Sequence, residues 1–188
     1  MKILVIGDFH IPSRAQSIPD KIFETICKME INLILCTGDL TDGKILDKLR
    51  EIAPLKWVVG NTDYIRGNTS EIIKIDEYDI GLIHGTEIYP RGDVNQLYEV
   101  AKKMHVDILI SGHTHAMSVH NMYGRILVNP GSATGAWGGG PATFKPSFIV
   151  LEISKELLDI WCYELVNNKL VKTVKRFRKN GKSIMEST

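Results

Sequence analysis

The feature that most constrains this chain is a series of short, wholly apolar runs, each closed by a glycine or a polar turn. KILVIG at Lys2–Gly7 leads into Asp8-Phe9-His10, and LILCT at 33–37 leads into Gly38-Asp39. Trp57–Gly60 leads into Asn61, Ile80–Ile83 into His84-Gly85, and Asp107–Ile110 into Ser111-Gly112-His113-Thr114-His115. Apolar runs this short, bounded by turn residues, read as strands buried on both faces. Helical patterns alternate with them. Ile22, Phe23 and Ile26 share a face after Pro19-Asp20, Ile45, Leu46 and Leu49 within Thr41–Arg50, and Val94, Leu97, Tyr98, Ala101 and Met104 within Val94–Met104. Strand and helix in alternation predict βαβ units and an α/β fold with a parallel sheet.

Beyond His115 the pattern changes to short β-like segments at 117–122, 125–129, 147–153, 158–165 and 169–178, with turns at Tyr123-Gly124 and Asn167-Asn168. The expectation is a second, more antiparallel sheet. The 188 residues fit one domain, placed at 1–178, with 179–188 as a polar, frayed tail. Hydrophobic residues make up 44%, enough for a packed core, which argues against wholesale disorder. Lys+Arg of 23 against Asp+Glu of 22 leaves a net charge of +1, without the basic excess of a dedicated nucleic-acid binder. Asp8 and His10 interrupt the apolar opening before a signal-peptide core forms, and no apolar run is long enough to span a bilayer. Cys27, Cys36 and Cys162, widely spaced and odd in number, are expected to be reduced, buried packing residues.

Taken singly, Asp8 and His10 read as a loop cap and a surface histidine, and Gly38-Asp39 as a helix N-cap. Their conjunction says more. In open α/β sheets the carboxyl ends of strands share one edge, where ligands bind. The sequence therefore delivers Asp8, His10, Asp39, Asn61, His84, His113 and His115 to one rim, next to glycines that permit tight turns. Imidazole, carboxylate and amide donors together suit Zn, Mn or Fe. This many donors exceeds the need of one tetrahedral ion and fits two ions sharing a carboxylate, which together clamp a phosphoryl group. His105 and His120 fall outside the pattern.

The strings GDFH, GDL, GNTD, IHG and GHTH resemble, in order, the motifs of the calcineurin-like metallophosphoesterases. That resemblance implies a four-layer αββα sandwich with one metal held by Asp8, His10, Asp39 and His115. It implies a second held by Asp39, Asn61, His84 and His113, with Asp39 bridging. Longer strings, GDFHIPSR, ILCTGDL, DILISGHTH and NPGSATGAW with the later PSF, are similar to the retromer small-subunit family within that superfamily, over about residues 1–178. This implies a cytoplasmic scaffold, peripheral to endosomes, in endosome-to-Golgi retrograde transport. Its metal-site face would dock on the large α-solenoid subunit, and an apolar groove at Val150, Trp161 and Tyr163 would take regulators. The two divalent ions would be structural or partly occupied.

Two departures bear on activity. The family's G-N-H-[DE] motif reads Gly60-Asn61-Thr62-Asp63 here. Loss of that general acid lowers a rate by roughly 10²–10⁴-fold, so efficient catalysis is not expected. Retromer small subunits of animals carry Asn at the position of Asp39, and the carboxylate here restores the bridging charge. The alternative reading is therefore a metal-dependent phosphodiesterase or phosphatase using an Asp39-bridged pair. The basic stretch Lys169–Lys182 reads as a charged edge strand that discourages aggregation, and Gly131–Gly140 as a shaped loop beside the metal site.

Overall fold

The structure, a computed structural model, describes residues 1–140, 142–181 and 183–187. Four of the apolar runs fold as anticipated, into Lys2–Ile6 (β1), Leu33–Cys36 (β2), Tyr78–Ile83 (β5) and Ile108–Ile110 (β6), whereas the strand expected at Trp57–Gly60 lies earlier, at Leu55–Trp57 (β3), and Val58–Gly60 form the turn after it. Between them lie helices Asp20–Cys27 (α1), Lys44–Arg50 (α2) and Val94–Lys103 (α3), and strand Ser70–Ile75 (β4). The later strands are Ser118–Met122 (β7), Arg125–Asn129 (β8), Ser147–Ser154 (β9), Leu157–Val166 (β10), Lys169–Asn180 (β11) and Ser183–Glu186 (β12). They form a seven-stranded sheet, β12-β11-β10-β9-β1-β2-β3, and a five-stranded sheet, β4-β5-β6-β8-β7.

Alternation along each buried strand divides its side chains between two layers. In β1, Ile3 and Val5 face the second sheet, where Ile80, Leu82, Ile108, Ile110, Ile126 and Val128 meet them. Leu4 and Ile6 face outward and are covered by Ile22 and Ile26 of α1 and by Ile45, Leu46 and Leu49 of α2. On the far side, Leu97 and Ala101 of α3 cover Leu109 and Leu127. The result is the four-layer αββα sandwich. Strands β1, β2 and β3 run parallel, as do β5, β6 and β8. Their carboxyl ends meet at one edge of the sandwich.

The structure corrects several expectations. The late strands do not make a sheet of their own, because β9 pairs antiparallel with β1 and extends the first sheet, while β7 and β8 join the second. Helix α2 begins at Lys44 and not at Thr41, since Thr41 is held at φ 68° in a turn. Strand β4 was hidden by its edge position, with only every second side chain half-buried. Cys27 is exposed; Cys36 and Cys162 are buried as expected.

The expected frayed tail beyond 178 is also corrected. Within the described residues it is the end of β11 and strand β12, whose Ile184 is 1% exposed and packs between the sheets. The sequence signal was weak because Ile184 is the sole buried side chain of that strand. Lys182 and Thr188 lie outside the described residues. Ile184→Ala is therefore expected to lower unfolding free energy by about 2–4 kcal/mol, measured by urea denaturation. An unchanged midpoint would return the segment to the status of a loose tail.

Candidate metal centre

Five turns at the shared edge carry the donors. Asp8 and His10 follow β1, Asp39 follows β2, Asn61 follows β3, His84 follows β5, and His113 and His115 follow β6. Asp8, His10, Asp39, His113 and His115 all have left-handed backbones, with φ between 48° and 70°. A non-glycine residue in that region costs on the order of 1–3 kcal/mol. Five such residues at one edge mark a place where the fold holds side chains against local preference, which is where functional sites concentrate. The glycines allow the crowding: a Cβ on Gly60 would lie 2.2 Å from Asp39 Oδ1, and one on Gly138 would lie 2.7 Å from the His115 ring.

All seven sequence-derived donors come together. Donor atoms of Asp8, His10, Asp39 and His115 lie within 4.8 Å of one another, as do those of Asp39, His84 and His113, so Asp39 belongs to both groups. Asn61 Oδ1 lies 3.1 Å from His84 Nε2, which places it with the second group. Asn61 is exposed, whereas the other six are buried.

The orientation of the imidazoles fits cations. His115 Nδ1 donates to Ala136 O at 2.6 Å, and His84 Nδ1 to Thr37 O at 2.8 Å. A proton on Nδ1 leaves Nε2 of each neutral ring with a free lone pair turned into the pocket. His115 Nε2 is 3.0 Å from His10 Nε2 and 3.7 Å from Asp8 Oδ1, while His84 Nε2 is 3.5 Å from Asp39 Oδ2. His113 Nδ1 is buried without a hydrogen-bond partner among the described residues. Once His84 has given up its proton, lone pairs and carboxylate oxygens packed this closely repel one another, and a bound divalent cation would replace that repulsion with attraction. The residues present therefore fit a paired metal site.

A supporting layer holds the ligand turns, and much of it was not singled out from sequence. Asp63 accepts from the backbone N–H of Asp39, Leu40, Thr41 and Gly60, at 2.9, 2.7, 3.0 and 2.8 Å. Its signal was the acid closing GNTD. The string NPGSATGAW serves the same end. Asn129 Nδ2 donates to Gly112 O, Ser132 Oγ to Asp8 O and Thr134 Oγ1 to Phe9 O, at 2.7, 2.7 and 2.9 Å. Thr62, in place of the family's histidine, donates its N–H to Asp39 Oδ1 at 2.9 Å, and its hydroxyl lies 3.3 Å from His10 Nδ1. Two cations flank the pocket: Arg14 donates to Trp137 O at 2.7 Å, and Arg91 donates to Gly138 O.

The groove residues anticipated from sequence divide. Trp161 and Tyr163 are half-buried on the outer face of the first sheet, with Tyr163 stacked on Phe148 at 4.6 Å. Val150 is 3% exposed, so the expectation that it presents itself to a partner is corrected. It lies in the interior of the sheet between Leu4 and Trp161 and is covered by its neighbours.

Burial shapes the charges of the site. It pushes the Asp8 carboxyl up to about 7, partly offset by His84, and pushes His10 and His113 down to about 4. Burial also lowers His115. It opposes charge on His84 as well, but the hydrogen bond to Asp39 and the charge of Asp8 outweigh it and raise that imidazole to about 9. For Asp39, burial opposes ionisation, yet His84 and the Thr62 N–H hold it well below the usual carboxylate range. A cation must displace the His84 proton between pH 7 and 9, and the Asp8 proton as well below 7. Affinity for Mn²⁺ or Zn²⁺ is thus expected to rise with pH, by about tenfold per unit between pH 7 and 9 and about a hundredfold per unit just below pH 7. Calorimetry in buffers of different ionisation enthalpy measures the protons released. Binding without proton release would contradict the arrangement.

Comparison with known proteins agrees with this geometry. The chain is 42% identical over 162 residues to a probable metallophosphoesterase of Methanothermobacter thermautotrophicus, covering 85% of this chain and 90% of the relative. Vps29 of Entamoeba histolytica, crystallised with Zn²⁺, superposes with a TM-score of 0.89 at 39% identity, covering 94% of this chain and 99% of that one. Vps29 of Chaetomium thermophilum in complex with a cyclic peptide superposes with a TM-score of 0.79 at 32% identity, over 94% and 95% of the two chains. Residues 1–156, which contain every donor described above, match the calcineurin-like phosphoesterase superfamily domain, and the chain belongs to that superfamily.

Proposed function

We propose that the chain is a docking subunit of the Vps29 kind: a small scaffold of a retromer-type complex that carries divalent cations at its sheet edge. The observation that carries this reading is the outer face of the first sheet. Helices α1 and α2 cover it over β1 and β2, but Trp161, Tyr163, Leu165 and Leu170 on β10 and β11 remain only half-buried. An apolar patch of this kind marks an interaction site, and the Vps29 complex with a cyclic peptide supports a peptide-binding role in the family. In this reading the metal-site edge docks on a large α-solenoid subunit, the outer face takes regulators, and the protein works at the cytoplasmic side of endosomes in retrograde transport.

The chemistry around Thr62 is in keeping with a scaffold. Bound cations polarise a phosphoryl oxygen, but a poor leaving group also needs a proton donor. A threonine hydroxyl does not supply one at neutral pH. Asp39, His10 and His84 hold the charge balance of the edge, and Asp63 holds the turns that present them.

A second reading, a metal-dependent phosphodiesterase or phosphatase, has a specific observation in its favour: the carboxylate of Asp39 stands in both donor groups. Two measurements separate the readings. Co-purification with the solenoid subunit is expected to survive Asp39→Asn, while Trp161→Asp keeps the fold and loses regulator binding; unfolding of that variant, or no capture by the wild type, would overturn the scaffold. Hydrolysis of bis(p-nitrophenyl) phosphate with Mn²⁺ that falls by about 10²-fold or more in Asp39→Asn would establish the enzyme. In that case Thr62→His is expected to raise phosphomonoester turnover by about 10²-fold.

A further inference from the structure

Behind the donors, one polar atom is left over. Thr37 follows β2 and is fully buried, and its Oγ1 has no hydrogen-bond partner among the described residues. Its backbone is already engaged. The N–H donates to Ile6 O at 3.0 Å, and the carbonyl accepts from His84 Nδ1 at 2.8 Å. A buried hydroxyl left unpaired costs free energy. Packing alone does not ask for it, because valine fills nearly the same space and differs by that hydroxyl.

The surroundings of the hydroxyl point to one acceptor. A Cβ on Gly112 would lie 2.7 Å from Thr37 Oγ1 and 2.9 Å from Asp8 Oδ2, so both oxygens border the same notch. On its other side, a Cβ on Gly7 would collide with Thr37 Oγ1. The two glycines, one following β1 and one following β6, thus leave room for this hydroxyl between the sheets. Asp8 is itself fully buried, and its oxygens share the His113 N–H at 3.2 and 3.0 Å. A carboxylate offers about four lone-pair sites, so Asp8 retains capacity for a further donor. Donor and acceptor capacity are unspent on either side of one notch.

We propose that Thr37 is a positioning residue of the cation site, its hydroxyl donating to the Asp8 carboxylate and steadying that group as a ligand. The inference rests on the reading of the edge as a cation site. Hydrogen bonds to an ionised carboxylate are about twice as strong as neutral ones, so the bond counts most when Asp8 carries its charge toward a cation. Thr37 then serves both donor groups from behind. Its carbonyl orients His84 of one group, and its hydroxyl holds Asp8 of the other. Such outer contacts fix the orientation of ligands and tune their affinity for metal.

The experiment compares Thr37→Val and Thr37→Ser with the wild type by Mn²⁺ calorimetry and by urea unfolding of the metal-free protein. Both variants keep the backbone carbonyl that orients His84. Thr37→Val is expected to weaken Mn²⁺ binding about tenfold. Its metal-free unfolding midpoint is expected to stay level or rise, because an unpaired hydroxyl leaves the interior. Thr37→Ser keeps the hydroxyl and loses a buried methyl, so its midpoint is expected to fall. Its Mn²⁺ affinity is nevertheless expected to stay within about twofold of the wild type. Affinity and stability thus move in opposite senses in the two variants, which a residue that only fills space does not produce. Equal Mn²⁺ affinity of the wild type and Thr37→Val, or equal losses in the two variants, would overturn the positioning role and leave the cation site standing. A lowered metal-free midpoint in Thr37→Val would also overturn it, by showing that the hydroxyl is paired within the fold. A wild type that takes up no Mn²⁺ would remove the cation site and this inference with it.

Discussion

The crowding of polar donor groups at one sheet edge governs this molecule. Six buried carboxyl and imidazole side chains stand close enough to share cations, five of them on left-handed backbones. Such turns do not persist by local preference. They are held by the Asp63 carboxylate, which collects four backbone N–H groups, and by hydroxyl and amide bonds from Asn129, Ser132 and Thr134. The stability of the sandwich core sustains a site that is strained and electrostatically crowded, and a cation relieves that crowding when it binds.

The same edge explains how one scaffold offers two unlike surfaces. Parallel strands from both sheets place their carboxyl ends together, so polar donors gather at the edge while the sheet faces stay apolar. Two helices on the first sheet are too few to cover seven strands, and β10 and β11 extend past them. The partly covered outer face follows from that mismatch in width. The polar edge and the partly covered apolar face therefore lie on different parts of the fold, and neither constrains the other.

Thr62 and the two arginines bear on what the edge does with an anion. The threonine ties Asp39 in place through its backbone N–H but offers no imidazole. Arg14 and Arg91 sit at the mouth with donors to spare. Positive charge at such an edge attracts anions, while a threonine hydroxyl does not deliver a proton to a poor leaving group.

Sequence alone determined the buried strands, the alternation with helices and all seven donors, because apolar runs ending at Gly-Asp, Gly-Asn and Gly-His mark strand ends and strand ends share an edge. The division of the donors around Asp39 was implied by the family resemblance and appears in the geometry of the folded chain. Tertiary structure alone decided that the late strands are shared between the two sheets, that Ile184 is buried and that Val150 lies beneath its neighbours. Sheet order, edge position and the reach of covering helices arise from pairings between residues far apart in the chain, and no local pattern encodes them. The roles of Asp63, Asn129 and Ser132 were hidden for the same reason: each acts by bonding to the backbone of a distant turn, a geometry that exists only once the strands have come together.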